Sequence, residues 1–420
     1  MVVYFLKDCD VERMFQRAQK KDSGSDGRNT LLLVFSRRKG EDIINERYQV
    51  DRNYFYVSGV LEFDNVVVLG KFADKTLEMI YINPYDEEKA KRVGAPYSKE
   101  KVQELSGISD IYYLKDLKED VKQLLNKVQT LYLDFEPNDD RFLTPTEDLA
   151  NQIKQKYPRI QIKNAREFFK TCRMIKHKEE IEEIKKAIHI THLWIENILK
   201  NLTEAYEYQL ESYFDQAIKY HGANGFAFPT IAASGKNATC LHYSENQSFA
   251  KKGDLILLDL WASCNMYCAD ITRTFPVSWT FTERQKQLYN IVLEAQEKVF
   301  KAAKPWVTIN DLQEIVIKHY EEKLMEIGLI HAPEEVEKYY YHGISHHLGL
   351  DCHDLSKHKD PLQAGNIITN EPGLYIEEEG IWIRIEDDLL ITEEGAICLS
   401  QEILKSVEDI EAFLKKNKSE

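Results

Sequence analysis

The chain has 420 residues, 43% hydrophobic and 30% charged, the composition of a globular protein with a large core and room for more than one domain. Its 70 acidic against 55 basic residues leave a net charge of −15, which disfavours nonspecific binding to nucleic acid or to an anionic membrane. The seven cysteines, Cys9, Cys172, Cys240, Cys264, Cys268, Cys352 and Cys398, are scattered and odd in number, unlike a secreted disulfide scaffold, and the lone C-x3-C pair Cys264/Cys268 does not make a zinc finger.

The first residues carry no basic segment followed by an apolar run, and no apolar run reaches the ~18 residues of a membrane helix, so a cytoplasmic protein is expected. Residues 11–20 read as a short helix with Val11, Met14, Phe15 and Ala18 on one face, and 21–29 as a loop. Strands are expected at 31–35, 54–59, 65–70, 77–82, 130–135 and 159–163, with a helix at 117–128 and a helix start at Thr144-Pro145-Thr146-Glu147, where proline suits the first turn. Strands alternating with helices argue for an α/β layer domain. It holds no glycine-rich phosphate loop, so nucleotide binding is not expected, and a scaffolding or capping role is.

Residues 173–200 read as a long amphipathic helix, with Ile181, Ile184, Ile188, Thr191, Ile195 and Ile198 recurring at three- and four-residue steps. The domain boundary falls at about residue 172, dividing the chain into 1–172 and 173–420. A second helix covers 203–220. His242 follows, between Leu241 and Tyr243, where a lone histidine is by itself a packing residue.

Segment 255–276 has two apolar arms around a polar middle containing Asn265, a hairpin signal. A turn centred on Cys264-Asn265 sets Asp259 directly opposite Asp270. Opposed positions have Cβ atoms ~4.5–5.5 Å apart, where like charges repel. Two divalent cations ~3.5–4 Å apart would be held by such carboxylates. A register shift of one or two residues would instead send the pair to different faces or heights. Thr282 to Gln285 is a capping box, leading a helix with Leu288, Ile291, Val292, Ala295 and Val299 buried. A further helix covers 311–327, with Gly328 just past its end.

Five of the twelve histidines lie within 342–358. His347 and His358 read as surface residues, and His346, between the bends at Gly343 and Gly349, as the better ligand. Glu371 ends an apolar strand before a Pro-Gly turn. Residues 381–391 alternate as one strand, with Arg384 and Glu386 on one face and Ile383 and Ile385 on the other. An Arg384–Glu386 ion pair on a solvated face is the alternative. Together Asp259, Asp270, His346, Glu371 and Glu386 offer four carboxylates and one imidazole, a donor set suited to Mn2+, with Co2+ or Zn2+ as substitutes.

The strings LLDL from 257, ADITRTFPV from 269, HGISHHLGLDCHD from 342, NEPGLYI from 370 and IRIEDD from 383 resemble, in order and spacing, the pita-bread metallopeptidases, and within them the aminopeptidase P family. The likeness covers residues 173–420 closely and the first half loosely, through 52–59. It implies an N-terminal α/β domain and a C-terminal pita-bread domain, a curved, mostly antiparallel sheet covered by helices. It implies hydrolysis of the N-terminal Xaa-Pro bond of peptides by a metal-bridging hydroxide. Asp259 would hold one ion, Asp270 and Glu386 both, and His346 and Glu371 the other, with Glu371 also the general base. His242 and His353 would steady the scissile carbonyl and the tetrahedral intermediate. His342 and Cys352 would line the proline pocket, and Arg384 would hold Asp259. Cys352 departs from the valine frequent there, which keeps the pocket apolar but makes it oxidisable. A homodimer is implied too. Related readings are an Xaa-Pro dipeptidase (prolidase), a methionine aminopeptidase, which would not need the long first half, metal-free creatinase, and a non-catalytic pita-bread binding module, which would have lost ligands.

Overall fold

The structure is a computed structural model that describes residues 15, 29–37, 50–73, 75–135, 143–223, 225–226 and 230–418. The helix expected at 11–20 and the loop at 21–29 lie outside the described residues, Phe15 and Asn29 excepted. Two compact units divide the chain, Met1–Arg173 and Met174–Glu420.

The first unit is built on a six-stranded mixed sheet of β1 (Thr30–Phe35), β2 (Val66–Lys71), β3 (Thr76–Ile82), β4 (Asp110–Tyr113), β5 (Thr130–Leu133) and β6 (Gln161–Asn164), in the order β4-β3-β2-β1-β5-β6. Leu31, Leu33, Val66, Val68, Tyr81, Leu131 and Leu133 build its core, on which helices Leu114–Leu125 and Pro145–Lys156 set Leu125 and Ile153. Thr144 and Glu147 cap the second of these reciprocally. The strand expected at 54–59 is instead the helix Arg52–Ser58. Asp51 accepts from the Tyr54 N–H (2.7 Å), Gly59 ends the helix at φ 64°, and Asn53 to Ser58 are all buried. A short segment buried all round shows no period that separates helix from strand.

In the second unit the helix expected from 173 starts at Lys178 and runs to Lys200, with Glu180 accepting from the His177 N–H. The strands are β7 (Ala205–Tyr206), β8 (Gly225–Phe226), β9 (Ile231–Ser234), β10 (Phe249–Ala250), β11 (Leu255–Leu260), β12 (Ala262–Cys264), β13 (Tyr267–Cys268), β14 (Ile271–Pro276), β15 (Ile367–Asn370), β16 (Gly373–Ile376), β17 (Ile381–Arg384), β18 (Asp387–Ile391) and β19 (Ala396–Cys398). Every pairing among these described strands is antiparallel. The 255–276 hairpin is present, with a different register: Cys264 pairs with Tyr267 and Asp259 with Thr272. Asn265 and Met266, at φ 46° and 71°, form the two-residue turn, one position later than expected. Asp259 and Asp270 are therefore not directly opposed, yet a shift of two keeps them on one face.

The strand expected at 381–391 breaks at Ile385-Glu386 into β17, paired with β16, and β18, paired with β15. There the Glu386 N–H turns to the Thr272 carbonyl (3.0 Å), tying this segment to the 255–276 hairpin. Pro372-Gly373, expected as a turn, carries the chain from β15 into β16. Helices Glu283–Ala302 and Ile309–Glu326 each begin with a capping box, and Gly328, at φ 68°, follows the second. Among the described residues no helix is long and apolar enough to cross a membrane.

Candidate active site

Polar side chains from the two interlocked hairpins and from the 342–354 segment meet in the second unit. Asp259 on β11 is buried, and Arg384 Nη2 donates to its Oδ2 at 2.6 Å. Its Oδ1, also buried, has no hydrogen-bond partner among the described residues. Burial raises the carboxyl to about 6, with Arg384 opposing and Asp270 adding. The Arg384–Glu386 pair on a solvated face does not form; both residues are buried, and Arg384 is spent on Asp259, Thr272 and Tyr375.

Asp270 sits between β13 and β14, its N–H donating to Asp388 Oδ2. Its Oδ2 lies 2.8 Å from Cys352 Sγ and 3.4 Å from His346 Nε2. Glu386, at the break between β17 and β18, accepts from Thr272 Oγ1 at 2.6 Å. Donor atoms of Asp270, His346 and Glu386 all lie within 4.8 Å of one another. Burial first, then Asp270, Glu371 and Asp259, push the Glu386 carboxyl well above the carboxylate range. Glu371, half-buried after β15, comes within 3.6 Å of His346 Nε2 and accepts from Thr369 Oγ1. Burial holds it at about 7 against the pull of His346 and Arg384.

His346 Nδ1 stands 3.1 Å from the His347 carbonyl, to which it can only donate, so Nε2 is the nitrogen that faces the carboxylates. Burial opposes its protonation, but Asp270 and Glu371 raise it to about 9. His342 Nδ1 donates to the Gly343 carbonyl, which leaves Nε2 to accept from Tyr375 Oη at 2.8 Å; Nδ1 is 3.8 Å from Glu371. Burial, then Arg384, hold this ring at about 4, hence neutral. His353 is exposed, with its ring 4.3 Å from that of His346. His242 is exposed too and acts on His353 electrostatically rather than packing as a core histidine. Cys352 is buried against Asp270. His358 is exposed as expected, but His347 is buried, neither ring nitrogen has a hydrogen-bond partner among the described residues, and desolvation keeps it neutral at about 3.

Several supporting residues were not among the candidates that the sequence pointed to. Thr272 Oγ1 donates to Glu386 while accepting from Arg384 Nε. Gln296 donates to the carbonyls of Asn370 and Ile385, the residues just before Glu371 and Glu386. Asp388 holds the Asp270 backbone. Gln296 lies outside every motif, whereas Thr272 within ADITRTFPV and Asp388 at the end of IRIEDD stand two residues from candidate ligands, which could have flagged both. Chemically, four buried or half-buried carboxylates and one imidazole converge with one guanidinium to balance them. The unpartnered Asp259 oxygen and the mutually raised acids fit a place for cations.

Comparison with known proteins gives two family matches, Metallopeptidase family M24 over residues 182–393 and Aminopeptidase P, N-terminal domain, over residues 20–132. The Xaa-Pro aminopeptidase of Escherichia coli K12 is 30% identical over 397 residues, covering 87% of this chain and 89% of the relative. That of Haemophilus influenzae is 29% identical, over 92% and 93%. Among solved structures, a putative aminopeptidase P from Bacillus anthracis superposes with a TM-score of 0.90 at 40% identity, over 96% of this chain and 98% of that one. Aminopeptidase P from E. coli with the inhibitor Pro-Leu gives 0.86 at 26% identity, over 98% and 99%.

Proposed function

The chain belongs to metallopeptidase family M24, and from that membership we propose an Xaa-Pro aminopeptidase, a hydrolase that removes the N-terminal residue from peptides with proline in second place. The observation that carries the reading is the convergence of Asp270, His346 and Glu386 beside the unpartnered oxygen of Asp259. We assign two divalent ions to the five groups: Asp259 would hold one, His346 and Glu371 the other, and Asp270 and Glu386 would contribute their charge to both. The oxygen-rich set supports manganese, with cobalt or zinc as substitutes. Bound there, the ions would polarise the scissile carbonyl and make water acidic enough to attack at neutral pH.

The remaining work falls to side chains. Glu371, held at about 7, is suited to take a proton from the attacking water and return it to the leaving proline nitrogen. His342, neutral and fixed through Tyr375 and the Gly343 carbonyl, forms a wall beside Glu371 for the proline ring, and Cys352 supplies an apolar part of that pocket. His353 and His242 would donate to the carbonyl oxygen as it becomes tetrahedral. Arg384 orients Asp259 and sets its charge. Residues 1–172 are assigned as the N-terminal aminopeptidase P-like domain and 173–420 as the catalytic domain. The scattered, odd-numbered cysteines support a cytoplasmic location, and a homodimer is proposed from the resemblance.

The test is kcat/KM of the Mn2+-loaded chain on an Xaa-Pro-Yaa tripeptide, the matching Xaa-Pro dipeptide and an Xaa-Ala-Yaa control. Cleavage of the tripeptide and not the control is expected. Cleavage of the dipeptide alone would assign a prolidase. No cleavage and no retained metal would assign a binding module.

A further inference from the structure

Cys352, His353 and His346 bring a sulfur and two imidazole nitrogens within 4.8 Å of one another. Cys352 Sγ stands 2.8 Å from Asp270 Oδ2, and that oxygen is 3.4 Å from His346 Nε2. Donors around a tetrahedral ion with bonds of about 2.0–2.3 Å lie roughly 3.3–3.8 Å apart. Closing this group on an ion thus needs about an ångström of movement. His353 is exposed and can turn to supply it.

The chemistry of this group differs from that of the carboxylate centre. Thiolate and imidazole select thiophilic ions, whereas carboxylates suit manganese. The two groups also share a ligand that cannot serve both. His346 Nδ1 is committed to the His347 carbonyl, so only Nε2 has a lone pair to give, and one lone pair takes one ion.

We propose that Cys352, His353 and His346, with Asp270 as fourth donor, form a second site for a thiophilic divalent ion such as Zn2+ or Cd2+, which competes with the carboxylate centre for His346. On binding, the Cys352 thiol gives its proton to solvent and the sulfur–metal bond forms; nothing is oxidised or reduced. The inhibitory consequence rests on the function proposed above, the site itself does not. Excess thiophilic ion draws His346 and Asp270 out of the reaction centre, and excess Mn2+ does not.

The experiment titrates the chelator-stripped full chain with Cd2+ and records the ultraviolet sulfur-to-cadmium charge-transfer band. A saturating band is expected in the wild type and in Cys240→Ser, which removes an exposed thiol. Cys352→Ser and Cys352→Val, two variants of different polarity in case one fails to fold, should lose it. His353→Ala should weaken Cd2+ binding about tenfold, and saturating Mn2+ should shift the Cd2+ midpoint upward. A full band in a folded Cys352 variant, no band in the wild type, or a midpoint indifferent to Mn2+ would overturn the second site. Mn2+-dependent peptide hydrolysis without the band removes this site and leaves the peptidase; the band without hydrolysis does the reverse.

Discussion

Glu386 and Asp387 are neighbours in the chain and opposites in surroundings. Asp387 meets Arg273, Lys405 and Ser400, each at 2.7 Å. Burial pushes its carboxyl up, yet Arg273 and then Lys405 bring it to about 2. Glu386 meets Asp270, Glu371 and Asp259, which add to burial and drive it far the other way. Behind the sheet the charges close on themselves; in front they leave negative charge over. A buried charge neutralised within the chain belongs to the architecture, and one left over marks a place for something from outside. The same contrast separates the two units. Among the described residues, Met1–Arg173 buries no carboxylate, while Met174–Glu420 buries Asp259, Asp270, Glu386, Asp387 and Asp388 within its hairpins.

The largest effect should come from the front layer. Asp270→Ala should lower kcat/KM on an Xaa-Pro-Yaa peptide by about 10³-fold or more, while its thermal midpoint stays level or rises, because a repelled carboxylate is gone. A variant as active as the wild type would dissolve the distinction between the layers. Asp387→Ala should do the opposite, costing about 3–5 kcal/mol in urea unfolding because Arg273 is left buried without its partner. If the folded variant lost activity as completely as Asp270→Ala, the two layers would not be separable.

Glu180 tests an intermediate case, a buried carboxyl with Tyr267 donating to it and Lys176 nearby. Burial raises it from 4.5 to about 7. A folded pKa above the unfolded one means that the native state holds the extra proton. The contribution is present below pH 4.5 and lost as pH rises through 7, roughly 3 kcal/mol over that window. Glu180→Gln should flatten the difference between unfolding free energies at pH 5 and pH 8; an unchanged slope would place the titration elsewhere. The smallest effect is expected at Thr272, which joins Glu386 to Arg384. Thr272→Val should lower kcat/KM about tenfold with Thr272→Ser restoring it, and equal losses in both variants would assign Thr272 a packing role alone.

Local pattern reached further into this molecule than it reached into the site. The capping box at Thr282, the helix start at Thr144 with proline in its first turn and the amphipathic stripe after Lys178 each depend on residues a few places apart, and each marked an element that the structure contains, whereas the alternation over 381–391 marked one strand where the structure has two. Where the signal was not periodic it misled: residues 53–58 are buried on every side, so the apolar run from Tyr54 looked like a strand. His347 looked exposed because polarity alone says nothing about what covers a side chain.

The sequence by itself determined which carboxylates and histidines stand at the ends of apolar segments, because such segments must be buried and their polar residues then need partners. Only the tertiary structure decided who those partners are. Arg384 reaches Asp259 across 125 residues and Thr272 reaches Glu386 across 114. The register of the 255–276 hairpin was likewise decided by two left-handed residues, Asn265 and Met266, whose conformation sets the turn one position later than composition suggests. Contacts so distant along the chain are chosen by how whole hairpins pack, and a two-residue slip in register costs no change in which face is apolar, so no local pattern could have distinguished it.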